Sequence, residues 1–334
     1  MKYNIAIDMG STNTVILKDE VGVALVEPTL VLLDNSIKKN SNIAFGEDAL
    51  TGYSQAKEDF QLVSPVRNGV IVNKEFAKNM IKHFLDKLNE KTFFKGNLVW
   101  LLPSSISQNE KNEFINLGYS LGYKNVDVLP SVIAALQELE VEYNNPYSHL
   151  VVDIGSGVTD IAVVYKGKVV QGCSVNIGGD IIDQGIKNYI IDNYNVCLSD
   201  KQCEEVKCYL SSIVPNDFIS YTLSDARVGD YSNDQLNISA QEIRHIYTDF
   251  YDKISNAIMN VLKMCNNQIT KDVHKSGIYL CGGMAKTLGL DKYLRSKLGI
   301  NVYVDNNPET TVIFGMEKLF NEPQKLEYLI DLNN

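Results

Sequence analysis

Apolar positions at the start of the chain fall into short β-branched runs, "YNIAID", "TVILK" and "GVALVEP", separated by glycine and polar turns. That pattern predicts a meander of antiparallel strands. From residue 34 to 64 the period is lost and the composition turns polar and mixed, which predicts a small inserted subdomain. Periodicity returns in "KEFAKNMIKHFLDKL", where Phe76, Met80, Phe84 and Leu88 recur at helical spacing. Strand "LVWLL" (98–102) then leads through Pro103 into a helix whose expected N-cap is Ser107.

A second cycle opens after the turn-prone "YNNPYS". Here "HLVVDIGSGVTDIAVVYKGKVV" again gives strand, glycine turn, strand, turn and strand. Laying Asp8 on Asp153 also superposes Gly10 on Gly155, Ser11 on Ser156 and Thr14 on Thr159, all 145 positions apart (153 minus 8). Each match occupies the same point of the same strand-turn-strand pattern, so the chain reads as an internal duplication. Helical patterns follow near 180–193, 199–212 and 239–266. Strand "SGIYLCGG", helix "DKYLRSKL", strand "INVYV" and helix "ETTVIFGMEKLF" come after them.

Strands alternating with helices predict an α/β protein of two duplicated lobes, each with a mixed sheet, helices and a smaller subdomain. The expected boundaries are 1–142 for the first lobe, with its insertion near 33–65, and 143–334 for the second, with its insertion near 181–240. The helix near 309–320 is expected to pack back on the first lobe. In "KLEYLIDL", Leu326, Leu329, Ile330 and Leu332 share a face and read as a packing tail.

Composition narrows the function. A chain of 334 residues with 45% hydrophobic content is long enough for two cores. Lys plus Arg number 31 against 41 for Asp plus Glu, a net charge of −10 with no basic stretch, which argues against a nucleic-acid partner. The six cysteines contain no C-x-x-C pair, as expected for reduced thiols in a cytoplasm. There is no secretory leader pattern and no apolar run near the ~20 residues that span a bilayer. The expectation is a cytoplasmic protein that can still touch a membrane surface.

The chemistry lies in the glycine turns. A glycine turn after a strand presents backbone N–H groups to a phosphate, and neighbouring hydroxyls add donors. An aspartate at the strand end suits hydrated magnesium, which keeps most of its waters and binds through one or two carboxylates. Asp8 and Asp153 would then serve one Mg-triphosphate. Taken singly, each turn reads equally well as a tight hairpin in which Gly supplies positive φ. The in-register pair favours the phosphate reading.

On these residues the chain resembles the actin, sugar kinase and heat-shock chaperone superfamily, and within it the MreB-type bacterial actins. "DMGSTNT" is similar to that family's first phosphate loop, "VVDIGSGVTDIAVV" to its second, and "GIYLCGGMAKTLGLDKYL" to its adenosine-side strand and loop. "VEPTLV", "PVRNGVI", "VNIGGDIID" and "CEEVK" extend the likeness along nearly the whole chain. The resemblance implies an actin-like ATPase fold, ATP or ADP with Mg2+, and nucleotide contacts at Ser11, Thr12, Asn13, Gly155, Ser156, Gly157, Gly178, Gly179, Asp180, Glu204, Lys207, Gly282, Gly283, Met284 and Ala285. Glu204 and Lys207, three apart on a predicted helix, are also readable as an ordinary surface ion pair.

Glu110 has two readings. Ser107-Gln108-Asn109-Glu110 is a capping box, and Glu110 also matches the family's water-orienting glutamate, a general base near the γ-phosphate. Two departures stand out: Val158 replaces a hydroxyl residue in the second loop, and Leu129-Pro130 stands where the family has Glu-Pro. Phe93 and Phe94 between Lys91 and Lys95 match a membrane-inserting loop, or else pack under the lobe as strand-entry residues.

The resemblance further implies head-to-tail filaments, single or as paired protofilaments, at the inner face of the cell membrane. ATP hydrolysis would control their turnover, and cell-wall elongation proteins would be partners. A plasmid-partitioning or organelle-positioning actin would share these motifs. A chaperone-type ATPase would need a long client domain, for which about a dozen residues after the last core helix leave no room, and a sugar kinase would need a substrate-binding insertion.

Overall fold

The computed structural model describes residues 3–35, 41–54, 59–88, 95–223 and 235–334. By contact density the chain divides into two units. The first comprises the chain up to Pro146 with Val164–Ser174 and Thr310–Asn334, and the second comprises Tyr147–Val163 with Val175–Glu309.

The first unit opens with β1 (Ile5–Met9), β2 (Asn13–Lys18) and β3 (Gly22–Pro28), the antiparallel meander that the β-branched runs predict. A small sheet of β4 (Val31–Asp34), β5 (Ser41–Phe45) and β6 (Phe60–Val63), with α1 (Glu47–Ser54), fills the aperiodic stretch. The short hairpin β7 (Val66–Arg67) and β8 (Val70–Ile71) precedes α2 (Lys74–Lys87), whose N-cap Asn73 accepts from the Phe76 N–H at 3.0 Å. β9 (Lys95–Leu102), α3 (Gln108–Ser120), β10 (Tyr123–Pro130) and α4 (Ser131–Glu138) complete the run. Met80 and Phe84 of α2 are fully buried with Trp100 and Phe114, whose rings meet edge-on at 5.5 Å. Leu129, the departure from the family's Glu-Pro, is wholly buried.

The second cycle supplies β11 (His149–Ile154), β12 (Thr159–Tyr165), β13 (Lys168–Val175), α5 (Gly179–Tyr194), α6 (Asp200–Tyr209), β14 (Ser220–Leu223) and β15 (Leu236–Ser239). It continues with the long α7 (Ala240–Met264), α8 (Asn267–Ser276), β16 (Ile278–Cys281), a 3-10 turn at Gly283–Lys286, α9 (Leu290–Leu298) and β17 (Val302–Val304). α10 (Thr311–Phe320) and α11 (Pro323–Asn333) end the chain and belong to the first unit, where α10 packs on α4 and α11 on β10. Leu326, Leu329 and Ile330 of α11 are buried there. α8 has no sequence counterpart in the pattern reading; its start is set by Asn266, whose side chain accepts from the Ile269 N–H at 2.9 Å. No helix among the described residues is long and apolar enough to cross a membrane.

The duplication is built into strand order. The first large sheet runs β3-β2-β1-β9-β10 and the second β13-β12-β11-β16-β17. Register repeats as well: Ile5 faces Leu98 and Asp8 faces Leu101, while Leu150 faces Ile278 and Asp153 faces Cys281, each in a parallel pair. The last helices repeat too. "SVIAALQEL" from Ser131 and "TVIFGMEKL" from Thr311, 180 positions apart (311 minus 131), form α4 and α10. These counterparts pack on each other, and Lys318 of α10 pairs with Glu138 of α4 at 3.0 Å.

Candidate functional site

In the first unit, β1 carries Asp8 to the edge of the glycine turn. The Gly10 N–H donates to the Asn13 carbonyl at 3.0 Å, and the Thr29 N–H, just past β3, donates to the Thr12 carbonyl at 2.7 Å. The buried Thr14 and Thr29 hydroxyls share a 2.9 Å bond that ties the turn to the following segment. Gly10 is not at positive φ; a Cβ there would stand 2.9 Å from the Asn13 carbonyl oxygen. Close backbone approach, and not left-handed geometry, therefore explains the glycine. Thr12 and Asn13 are exposed. Asp8 is half-buried, and burial pushes its carboxyl up to about 6, the behaviour of an acid in want of a positive partner.

The second turn repeats the first of these bonds. The Gly155 N–H donates to the Val158 carbonyl at 2.9 Å, the counterpart of Gly10 and Asn13, and a Cβ on Gly155 would meet that oxygen at 3.1 Å. The Thr159 hydroxyl donates to the Ile177 carbonyl at 2.6 Å. Here the turn also receives a helix. The first two N–H groups of α5, from Gly179 and Asp180, donate to the Gly155 and Ser156 carbonyls at 3.0 and 2.8 Å. Two of the donors that a helix start leaves open are thus closed by the turn itself, and the positive end of α5 lies against it.

Gly178, the N-cap, makes this seating possible, because a Cβ there would lie 2.1 Å from the Ser156 oxygen and 2.6 Å from the Gly157 carbonyl carbon. Gly178→Ala must therefore displace the turn, and we expect about tenfold weaker nucleotide binding by calorimetry, with a cost of roughly 1 to 3 kcal/mol in stability. Unchanged affinity would show that the seating does not matter for the ligand.

Around this turn the second unit gathers further groups. A Cβ on Gly179 would stand 3.1 Å from the Met284 sulfur and 3.4 Å from Lys207 Nζ, so the α5 start, α6 and the 3-10 turn meet at one place. Gly282, at φ +84°, packs on the end of β11, where a Cβ would come within 2.4 Å of Asp153 Oδ1; Gly283 faces open space. Met284 and Ala285 are buried, and the Tyr251 hydroxyl donates to the Met284 carbonyl at 2.7 Å.

Lys207 does not form the helical surface pair with Glu204. It reaches across to Asp183 of α5 at 2.6 Å and is itself buried, while Glu204 is exposed. Desolvation raises the Asp180 and Asp183 carboxyls, and the Lys207 charge opposes both shifts. Asp183, Tyr247 and Tyr251 escaped the sequence reading because each acts through a partner distant in sequence.

Glu110 forms the capping box: its Oε2 accepts from the Ser107 N–H at 2.8 Å and from the Ser107 hydroxyl at 2.6 Å. Asp8, near the C-terminal end of β1, faces Leu101 near the end of the parallel β9, and Pro103 leads from β9 toward the cap at the start of α3. Ligands of open α/β sheets bind at such ends. Phe93 and Phe94 lie outside the described residues.

Residues 2–328 match the profile of the MreB/Mbl protein family. The chain belongs to the MreB/Mbl family. Among its relatives, the cell shape-determining protein Mbl of Bacillus subtilis is 29% identical over 329 residues, which cover 97% of each chain. The MreB5 protein of Spiroplasma citri bound to ADP superposes with a TM-score of 0.88 at 26% identity, over 98% of each chain, and its AMPPNP-bound structure matches equally. The MamK double helical filament subunit gives 0.77 at 16% identity, covering 95% of this chain and 99% of that one. The fold of this MreB/Mbl family member is therefore actin-like. The two mirrored turns are the parts of it that carry Asp8 and Asp153.

Proposed function

We propose that this chain binds one magnesium adenine nucleotide through both turns, assembles into filaments at the inner face of the cell membrane, and hydrolyses ATP to control their turnover, in the service of cell shape and cell-wall synthesis. The observation that carries the reading is the repeated bond, Gly10 to Asn13 and Gly155 to Val158, each beside a strand-end aspartate. The nucleotide-bound MreB5 structures and the naming of Mbl as a cell shape-determining protein support it.

The residues present fit magnesium. Asp8 is an acid whose burial calls for a cation, and among the described residues no three acid, histidine or cysteine groups converge to hold a bare ion. Asp8 and Asp153 would hold a hydrated ion through water, and that ion would offset polyphosphate charge. Ser11, Thr12 and Asn13 in one turn, and Gly155, Ser156 and Gly157 in the other, offer donors to phosphate oxygens, while Lys207, Glu204, Gly282, Gly283, Met284 and Ala285 flank the nucleoside. Glu110 takes the proton of the attacking water with the oxygen that the cap leaves to it. Phe93 and Phe94 would insert at the lipid surface, with many weak contacts adding along a polymer.

Sedimentation and electron microscopy with Mg-ATP and anionic vesicles test the reading; a protein that neither binds ATP nor assembles contradicts it. The catalytic role of Glu110 separates from its cap in Glu110→Gln, because glutamine also serves in a capping box. We expect phosphate release to fall about a hundredfold, as for loss of a general base, with stability unchanged to about 0.5 kcal/mol. Full turnover would leave Glu110 a cap alone.

A further inference from the structure

We propose that Asp183 is a positioning residue that holds the Lys207 ammonium over the first turn of α5, ready for the oxygen-rich side of a bound nucleotide. The inference rests on the nucleotide reading above and goes beyond it, because neither the turns nor the capping glutamate involve this residue.

Lys207 is an unusual lysine. It is 9% exposed, and its Nζ stands beside Gly179, at the positive end of a sixteen-residue helix. A cation is disfavoured there, and a lysine stem is long enough to carry its head to water. What keeps it in place is visible. The Tyr247 hydroxyl donates to the Lys207 carbonyl at 2.9 Å and pins the α6 main chain, and Asp183 Oδ2, at 2.6 Å, fixes the side chain. Asp183 uses one of the ammonium's three donors, which leaves two for a ligand oxygen.

The pair does not read as a stability device. Asp183 Oδ1 is buried with no hydrogen-bond partner, whereas a carboxylate serving only to cross-link two helices would be satisfied on both oxygens or left in water. A second ion pair already joins the same helices: Lys187 of α5 meets Asp200 of α6 at 3.1 Å, with Asp200 almost fully exposed. That pair is an internal control, since it spans the same interface and touches none of the groups at the turn.

The test is Mg-ADP affinity by calorimetry on four variants, with thermal unfolding measured alongside. We expect Asp183→Asn and Lys207→Met each to weaken binding about tenfold. The double variant should bind no worse than Lys207→Met alone, and Asp200→Asn should stay within about twofold of wild type. Asp183→Asn binding like wild type, multiplying losses in the double variant, or an equal loss in Asp200→Asn would each overturn the proposal and leave the nucleotide reading standing. A wild-type protein that binds no nucleotide would overturn both. Should Asp183→Asn alone fail to fold, because it leaves a buried lysine unpaired, the charge-free double variant compared with Lys207→Met decides: equal affinities support the proposal, and a further loss overturns it.

Discussion

Replacing Asp8 by asparagine should make the ligand-free protein more stable at pH 7 while weakening Mg-nucleotide binding at least about tenfold. Burial holds the Asp8 carboxyl up to about 6 against an ordinary value of 3.8. A shift of about two units corresponds to roughly 3 kcal/mol as an upper figure. The folded pKa lies above the unfolded one, so the native state keeps this proton longer. The contribution is favourable below about 4 and is lost as pH rises through about 6. The advantage of Asp8→Asn in urea unfolding should therefore be full at pH 7 and vanish by about pH 4. A stabilisation that persists at pH 4, or none at pH 7, would show that Asp8 carries no such burden. The weaker binding follows from losing a charged contact, which is worth about 1.5 to 3 kcal/mol. Stability given up at a binding site in this way is a common trade.

Gly315→Ala should be severely damaging, costing about 3 kcal/mol or preventing folding. α10 approaches α4 so closely that a Cβ at Gly315 would lie 1.8 Å from the Ala134 carbonyl oxygen and 2.6 Å from its carbon. Both atoms are helical backbone, so no rotamer relieves the clash and the two helices must part. Gly283→Ala, whose Cβ meets no atom within 4 Å, is the matched control and should change stability by no more than about 0.5 kcal/mol. Equal unfolding curves for Gly315→Ala and wild type would mean that the helices are less closely held than they stand.

Much of this was legible because it is local. The β-branched runs, the glycine turns and the aspartates at strand ends all lie within a few residues of their partners, and "HLVVDIGSGVTDIAVVYKGKVV" reads directly as β11, a turn, β12 and β13. The α2 stripe was legible for the same reason, with Met80 and Phe84 fully buried. The hairpin alternative, in which Gly10 supplies positive φ, does not hold; sequence cannot distinguish that need from a carbonyl 2.9 Å away.

What the sequence hid is long-range. Asp183 lies on α5, and its partner lies 24 positions on, across a helix packing that no period announces. The kinship of α4 and α10 was hidden by spacing: the strand-end aspartates repeat at 145 (153 minus 8), but these helices repeat at 180 (311 minus 131), because the second cycle carries α5 to α8 between its sheet strands. Only the matching strand order reveals both offsets as one duplication.

For the proposed function, both turns must serve the same ligand. Titration calorimetry with Mg-ADP on wild type, Asp8→Asn and Asp153→Asn measures this directly. One nucleotide per chain, with each variant about tenfold or more weaker, is the predicted result. Two nucleotides per chain, or full affinity after losing either aspartate, would contradict it.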